Sequence, residues 1–287
     1  MATYEVERTG DSVTTVRMGS INKGWEQYFL LRADAHRDHP CSNRAMETRH
    51  LEQAAERGAG VIDLGDLFCA MQGRTDPRST ADKRDEDVGD AYFDRLVDNA
   101  AGFYGKYADN WILLARGNHE TKILKYNETD LTARLAEKMS SMSKNAGPFS
   151  VGGYCGWIRF MFVVRKKHCT QRRLFWTHGG GKGAPVTRGM IQTNRRAVYL
   201  PDADIVCGGH IHEAFVVPIS RLRLSERGVE TQDEQWHLQI PSYKDPWKTR
   251  RQGWEIEKEM APKFTGAWWL RFYYESEIIK IGFEAAQ

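Results

Sequence analysis

The sequence predicts an α/β fold, because short strand-like runs alternate with helical patterns along its first half. The apolar run Tyr28–Ala33 is rich in residues that strands favour. Residues 42–57 then have an apolar stripe at helical spacing, with Ser42 or Asn43 as the capping residue. A second strand-like run begins at Val61. Strand–helix–strand units of this kind are typical of α/β proteins.

The second half of the chain predicts more strands than helices, which favours two sheets. Residues 1–24 predict an edge strand or hairpin, and a basic turn at residues 165–168 predicts another hairpin. The sequence has no repeat, low-complexity tract or clear linker, so we predict one domain over residues 1–287. Further helices are predicted around 93–104, 131–142 and 190–199, and further strands at 111–115, 157–164, 172–176, 205–207, 215–224, 236–240, 268–274 and 278–283.

The composition is that of a globular protein. The 287 residues are 41% hydrophobic, and a net charge of +3 is too weak to predict a nucleic-acid partner by itself. The five cysteines lack the spacing of a disulfide framework, which favours free thiols in a reducing compartment. The first residues lack an apolar signal region, and the apolar runs are too short to span a bilayer. We therefore expect a soluble cytoplasmic protein with no membrane partner.

Five short stretches, each after a strand-like run, contain side chains that bind metals. Asp66 ends the strand that begins at Val61, and its carboxylate suits a bridge between two metal ions, because sharing a carboxylate reduces their repulsion. The other stretches supply imidazole and oxygen donors, which borderline metals prefer. At the strand period of two, Asp34 and His36 are expected to point to the same side. The other stretches are Asp34-Ala35-His36, Gly117-Asn118-His119-Glu120, Thr177-His178-Gly179 and Gly208-Gly209-His210-Ile211-His212.

In this order the motifs D-x-H, G-D, G-N-H-E, T-H-G and G-H-x-H resemble those of the calcineurin-like metallophosphoesterase superfamily, and they span residues 34–212. The resemblance implies a four-layer α-β-β-α sandwich of two mixed sheets flanked by helices. It also implies two metal sites that share one carboxylate. By position, one site is formed by Asp34, His36, Asp66 and His212, and the other by Asp66, Asn118, His178 and His210.

The same resemblance gives His119 a catalytic role without a metal, in which it protonates the leaving oxygen or steadies the transition state. Many relatives place an aspartate or histidine three residues after the bridging aspartate to assist this histidine, and here that residue is Cys69. A thiol is a poor partner for imidazole and can itself bind metal or oxidise. What orients His119 is left open; Asp38 and His39 are candidates, although we expect both at the surface.

The predicted reaction is hydrolysis of a phosphate ester with two divalent ions, manganese first and iron or zinc as alternatives. A phosphodiester is the preferred substrate. DNA is one candidate, because the sequence of residues 65–68 is similar to that of SbcD-type DNA exonucleases. The chain also resembles phage or prophage metallophosphoesterases. One alternative is a phosphomonoesterase that acts on nucleotides or phosphoproteins. Another is a non-catalytic binding module on the same fold.

Two segments contain candidate substrate contacts. Residues 70–87 predict a solvated loop, or alternatively a lid in which Arg74, Arg78 or Arg84 touches the substrate phosphate. Residues 243–251 mix cations with aromatic side chains, which suits single-stranded nucleic acid but equally a solvated loop, and the loop is favoured. If this segment does bind nucleic acid, its candidate contacts are Lys244, Trp247, Lys248, Arg250 and Arg251.

The remaining polar candidates have ordinary structural interpretations. Asp63 lies within a strand and is expected to be a hydrogen-bonded structural acid, and Cys207 is expected to pack in the core. Three histidines lack supporting neighbours and are assigned to the surface or core: His50, His168 and His237.

Overall fold

The computed structural model describes residues 4–71, 83–144, 149–165, 168–181, 186–249 and 254–286. Within them, two mixed β-sheets and their flanking helices confirm the predicted α/β class. The strands are β1 (Tyr4–Gly10), β2 (Val13–Ile21), β3 (Glu26–Arg32), β4 (Gly60–Asp63), β5 (Trp111–Leu114), β6 (Ser150–Val151), β7 (Cys155–Val164), β8 (His168–Thr177), β9 (Ile205–Gly208), β10 (Phe215–Leu224), β11 (Glu230–Gln239), β12 (Ala267–Glu275) and β13 (Ile278–Ala286). The α-helices are α1 (Arg44–Glu56), α2 (Tyr92–Tyr104), α3 (Asn118–Asn127), α4 (Leu131–Met142), α5 (Met190–Tyr199), α6 (Pro246–Thr249) and α7 (Trp254–Glu257).

The six-stranded sheet has the order β13-β12-β3-β4-β5-β6. Strands β3 to β6 are parallel, with Leu31 opposite Ile62 in the β3–β4 pair, whereas β12 and β13 form an antiparallel edge. Parallel strands need crossover connections, and α1 and α2 lie in those between β3, β4 and β5. The carboxyl ends of β3, β4 and β5 therefore lie at one edge of this sheet.

The seven-stranded sheet has the order β1-β2-β7-β8-β9-β11-β10. The pairs β2–β7, β8–β9 and β9–β11 are parallel, and the remaining pairs are hairpins. The N-terminal hairpin is confirmed. Of its two strands, β1 lies at an edge of the sheet, whereas β2 pairs with β7 on its other side.

Apolar packing divides the molecule into four layers. One core lies between the sheets, where Phe29 of β3 contacts Phe160 of β7 and Phe272 of β12. A second core joins the outer face of the six-stranded sheet to α1, α2 and α4. A smaller cluster that contains Leu200 and Val206 covers part of the outer face of the seven-stranded sheet, next to α5. The α-β-β-α arrangement is confirmed.

A buried ionic network lies behind the carboxyl ends of β3 and β4. The guanidinium of Arg32 is fully buried and lies 2.8 Å from both Glu47 of α1 and Asp63 of β4. Asp63 also accepts a hydrogen bond from Gly65 N at 2.9 Å. Burial raises the pKa of Asp63 to about 6, although the charge of Arg32 opposes this rise. Asp63 is thus the structural acid that the sequence predicted.

A side-chain cap fixes the start of α1. Helix α1 begins after Asn43, whose side chain accepts a hydrogen bond from Met46 N at 3.0 Å, so Asn43 and not Ser42 is the cap. Helix α3, which begins at Asn118 within a predicted metal motif, was not predicted, and neither were the short helices α6 and α7. Among the described residues, no helix is long and apolar enough to cross a membrane.

Candidate metal centre

The five motif stretches follow β3, β4, β5, β8 and β9, so they converge where the carboxyl ends of strands from both sheets meet. This is the usual place for a ligand site in α/β folds. The loops after β3 and β4 continue to bond to each other beyond the strands. Asp34 N donates to Gly65 O at 2.9 Å, and His36 N donates to Asp66 O at 3.0 Å. These bonds fix the two aspartates on neighbouring loops.

Five of the seven predicted metal ligands have left-handed backbone conformations. This corrects the expectation that Asp34 and His36 share a face at strand spacing, because β3 ends at Arg32 and both residues lie in a loop. Left-handed backbone costs free energy in non-glycine residues and is concentrated at functional sites. The φ angles are 52° at Asp34, 43° at His36, 53° at Asp66, 74° at His210 and 56° at His212.

The first group of donors consists of Asp34, His36 and His212, whose ligand atoms all lie within 4.8 Å of one another. The Nε2 atoms of His36 and His212 are 3.3 Å apart, and Oδ1 of Asp34 lies 3.3 Å from Nε2 of His212. Donors that share one ion lie about 3 Å apart, because metal–ligand bonds are about 2.0–2.2 Å long. The group therefore has the spacing of ligands around a single ion.

The second group consists of Asp66, His178 and His210, again within 4.8 Å of one another. The amide of Asn118 lies among them, with Oδ1 at 3.0 Å from Nε2 of His178 and 2.6 Å from Nδ1 of His210. Oδ2 of Asp66 is 3.2 Å from Nε2 of His178. Four predicted ligands are thus together here.

Backbone carbonyls orient both imidazoles of the second group. Nδ1 of His178 donates to Leu64 O at 3.0 Å, and Nε2 of His210 donates to Gly181 O at 3.0 Å. Because a carbonyl only accepts hydrogen bonds, the other nitrogen of each neutral ring presents its lone pair to the group. Outer hydrogen bonds of this kind are usual for histidines that bind metals.

The electrostatics of the donors fit bound cations. Oδ1 of Asp34 is buried and has no hydrogen-bond partner among the described residues, which is costly unless a cation lies beside it. Burial holds the pKa of His36 well below its ordinary value, so its ring is neutral and can bind metal. Burial would also lower the pKa of His178, but the carboxylate of Asp66 raises it to about 10. The surroundings of His178 therefore favour positive charge, which a metal ion would supply.

Asp66 lies close to both groups. Burial alone would raise its pKa, but interaction with His119 and His178, and then with His36, holds that pKa well below its ordinary value. The carboxylate is therefore ionised and lies in the field of histidines from both groups. Its Oδ1 accepts a hydrogen bond from His119 N at 2.9 Å. The metal bridge through Asp66 remains a prediction.

His119 lies between Asp66 and the first group. Its ring packs edge-on against His36, with centroids 4.9 Å apart, and its Nε2 is 3.7 Å from Oδ2 of Asp66. Nδ1 donates to the backbone oxygen of Cys69 at 2.7 Å, so Nε2 is the ring atom that faces the centre. The thiol of Cys69 joins His36 and His119 in a third group of donors within 4.8 Å.

The backbone carbonyl of Cys69 therefore orients His119. Asp38 holds this loop in place, since its carboxylate accepts hydrogen bonds from Cys69 N at 2.6 Å and Ala70 N at 2.8 Å. The predicted surface role of Asp38 and His39 is wrong. Both are buried because each serves as an acceptor for backbone amides, and Nδ1 of His39 accepts from Cys41 N at 3.0 Å.

Glu120 connects the Asp66 loop to the start of α3, a role that the sequence analysis did not assign. Its carboxylate accepts hydrogen bonds from Gly117 N at 2.9 Å, Asp66 N at 3.1 Å and Phe68 N at 2.9 Å. Burial, with the charge of Asp66, raises the pKa of Glu120 to about 8, although these amides favour the ionised form. The position of Glu120 in the Gly-Asn-His-Glu motif is the sequence feature that could have indicated this role.

Two glycines make this connection sterically possible. At Gly65, φ is +99° and a Cβ atom would lie 2.4 Å from Gly117 N. At Gly117, a Cβ atom would lie 2.1 Å from Oδ1 of Asp66. Any side chain at either position would push the Asp66 loop away from α3.

The structure describes only some of the predicted substrate contacts. Arg74, Arg78 and Arg250, together with Arg251, lie outside the described residues. Arg84 donates to backbone oxygens of residues 39, 40 and 42, so it supports the loop after β3. Lys248 is 79% exposed and lies 3.7 Å from Asp245.

Segment 243–249 is not the solvated loop that was favoured. Tyr243 is fully buried and bonds to His50, and Lys244 is mostly buried in an ion pair with Glu255. Trp247 donates to Met260 O at 3.1 Å. His50 and His237, which were assigned to the surface or the core, are buried, and the burial of Cys207 confirms its predicted place in the core.

Comparisons with known proteins give only distant similarity. No protein-family model matches the chain, and no curated protein sequence matches it. A conserved uncharacterized protein of Streptococcus pneumoniae TIGR4, described as a predicted phosphoesterase, is 12% identical, with 91% of each chain covered and a TM-score of 0.34. The calcineurin-like phosphoesterase YfkN of Bacillus subtilis is 10% identical, with 91% of each chain covered and a TM-score of 0.35.

Vacuolar Protein Sorting 29 of Cryptosporidium parvum is 11% identical, covers 91% of this chain and 97% of its own, and has a TM-score of 0.33. Similarity at this level assigns neither a family nor an activity to the chain. The case for function therefore depends on the chemistry of its own side chains.

Proposed function

We propose that this chain is a binuclear metal-dependent phosphoesterase of the calcineurin-like superfamily, and that it hydrolyses phosphodiesters. The observation that supports this most strongly is the convergence of seven donors from five loops into two adjacent groups. These donors are Asp34, His36 and His212 in the first group, and Asp66, Asn118, His178 and His210 in the second.

The donor types suit two borderline divalent ions, with manganese preferred. When bound, the ions would neutralise phosphoryl oxygens and lower the pKa of water. Asp66 would reduce the repulsion between the ions from its position near both groups. Asn118 binds without adding negative charge, so the centre would remain positive and attract a phosphate anion. The backbone bonds of the loops keep these groups fixed before substrate arrives.

His119 would act as the general acid on the leaving oxygen. Its Nδ1 is engaged by the carbonyl of Cys69, so the proton would move at Nε2, the atom that faces the centre. A positioned acid of this kind contributes about 10²–10⁴-fold to a rate.

The cations beside the centre favour a diester over a monoester. Lys244 and Lys263 line the cavity next to His212, but Lys244 pairs with Glu255 and Lys263 lies 3.1 Å from Glu213. A phosphomonoester has a second negative charge, and these paired lysines offer it little additional attraction. A diester needs no further anion pocket.

The test is turnover of bis-p-nitrophenyl phosphate and p-nitrophenyl phosphate by the manganese-loaded chain. We expect faster cleavage of the diester and loss of activity with a chelator. Faster cleavage of the monoester would favour the phosphomonoesterase alternative. Two bound ions without turnover of either ester, or of single- and double-stranded DNA, would favour the non-catalytic alternative.

A further inference from the structure

A cavity opens directly beside the metal centre on the side of His212. It is small, about 50 Å³, and Trp247, Met260 and Phe264 form its apolar wall. The ion pair of Lys244 with Glu255 also lines it. His212 is a predicted metal ligand, so the cavity begins where the substrate phosphate would lie.

A wider groove of about 730 Å³ lies beside the cavity on the surface. Four side chains line both spaces, Asp245, Trp247, Lys263 and Phe264, and we call the cavity and the groove together the path. This volume lies within the range of about 300–1,000 Å³ that is usual for ligand sites. The path has room for a substrate that extends well beyond the reacting phosphate.

Aromatic rings with fixed orientations face this path. Phe264 is 44% exposed and stacks on Trp268, with centroids 6.3 Å apart and an interplanar angle of 19°. Trp268 donates to Gln239 O at 3.0 Å, and Trp247 donates to Met260 O at 3.1 Å. An exposed ring backed by a fixed second ring is a suitable stacking surface for an unpaired base.

Two exposed cations, Arg49 and Lys248, line the wide end of the groove together with the carboxylate of Asp245, which lies 3.7 Å from Lys248. Lys263 lines both the groove and the cavity and lies 3.1 Å from Glu213. Lys244 is mostly buried in its ion pair, so it is unsuited to the phosphate contact that the sequence suggested. The groove therefore has stacking surface near the centre and cations farther out.

We propose that this path binds a single strand of nucleic acid. An unpaired base next to the scissile phosphate stacks on Phe264, and the following phosphates lie near Arg49 and Lys248. The small volume of the cavity favours an unpaired base over a base pair at this position. This inference rests on the proposed function, because it identifies the diester substrate of the same centre.

The test measures fluorescence anisotropy of labelled twelve-residue oligonucleotides, oligo(dT) and oligo(U), with the manganese-loaded chain. A background of His119→Ala prevents cleavage during the measurement. Phe264→Ala is expected to raise Kd by about 5- to 150-fold, the fold-change that corresponds to loss of one base stack. Phe264→Trp should keep tight binding, and Leu222→Ala, an exposed apolar residue on β10, is the matched control.

The charges are tested by the salt dependence of Kd. Replacement of both Arg49 and Lys248 by Ala should reduce the log–log slope by about 1.4, since each contact with a single strand contributes about 0.7. Replacement of Arg227 and Lys106, which are exposed and outside the groove, is the control. Melting temperature and metal content verify that each variant is folded. The oligo(dT) and oligo(U) arms show whether the strand is DNA or RNA.

Unchanged Kd and slope in these folded variants would overturn the inference, as would equal affinity for a blunt duplex. The proposed function is tested separately by wild-type turnover of bis-p-nitrophenyl phosphate. If the chain cleaves bis-p-nitrophenyl phosphate but does not bind the oligonucleotides, the single-strand proposal is wrong and the proposed phosphodiesterase activity stands. If the chain shows neither turnover nor oligonucleotide binding, the proposed function itself is wrong.

Discussion

The metal centre and the groove beside it are built in different ways. Loops at the ends of five strands present the metal donors, and backbone hydrogen bonds such as Asp34 N to Gly65 O fix these loops. The groove combines Arg49 of α1 with Trp247 of α6 and with Phe264 from the segment before β12. The backbone hydrogen bonds between its loops therefore fix the candidate centre, whereas the proposed substrate surface depends on contacts between side chains.

Asp66→Asn should cause the largest loss of activity, because this carboxylate would bind both ions. We expect the rate on bis-p-nitrophenyl phosphate to fall by at least about 10⁴-fold, more than removal of a single positioned acid. Elemental analysis should show loss of the second ion. Asp98→Asn, on the exposed face of α2, is the control, and an Asp66 variant with two ions and full rate would exclude the bridge.

His119→Ala should lower the rate by about 10²–10⁴-fold and leave both ions bound. The reason is that Nε2 faces the centre while Nδ1 is held by a carbonyl. Steady-state kinetics and metal analysis on the same sample separate the two effects. If metal were lost with the imidazole, His119 would be a ligand, together with His36 and Cys69 in the third donor group.

Glu120→Ala should weaken metal binding by about 10–100-fold, the usual effect of losing an outer group that positions ligands. The change removes the acceptor for three backbone amides and separates the Asp66 loop from α3. Calorimetric titration with manganese measures this affinity. Glu120→Gln keeps one acceptor oxygen and should recover part of the loss. Wild-type affinity in Glu120→Ala would show that the loop is held by other contacts.

Cys69→Ser should have the smallest effect, a decrease in rate of less than about tenfold, because its backbone carbonyl remains in place to orient His119. The loop is held by Asp38, whose bonds to residues 69 and 70 do not involve the thiol. The pH dependence of the rate should also remain unchanged. A loss as large as that of His119→Ala would give the thiol itself a role at the centre.

The same contrast explains how much the sequence could predict. Strand and helix periodicity predicted the two sheets and most helices, and the motif residues predicted which side chains meet. Three helices were not predicted: α3, whose first residue, Asn118, was recognised only as a metal ligand, and the short α6 and α7. Metal binding restricts a ligand to a few residue types, so the donor positions are recognisable in one chain.

The remaining features depend on backbone geometry or on tertiary contacts. The carbonyl of Cys69 is a group that every residue has, so no sequence pattern could select it as the partner of His119. The left-handed backbone at Asp34 and Asp66 follows from how their loops pair, not from a motif. Phe264 was missed because one aromatic residue outside a motif is ordinary, and only its packing on Trp268 distinguishes it.

The proposed function requires that the two donor groups hold two neighbouring ions. Electron paramagnetic resonance of the chain titrated with Mn²⁺ measures this arrangement, because two ions that share a ligand interact magnetically. We predict two ions per chain and the multiline spectrum of a coupled pair at saturation. Saturation at one ion, or only the six-line spectrum of isolated Mn²⁺ when two ions are bound, would contradict the shared centre.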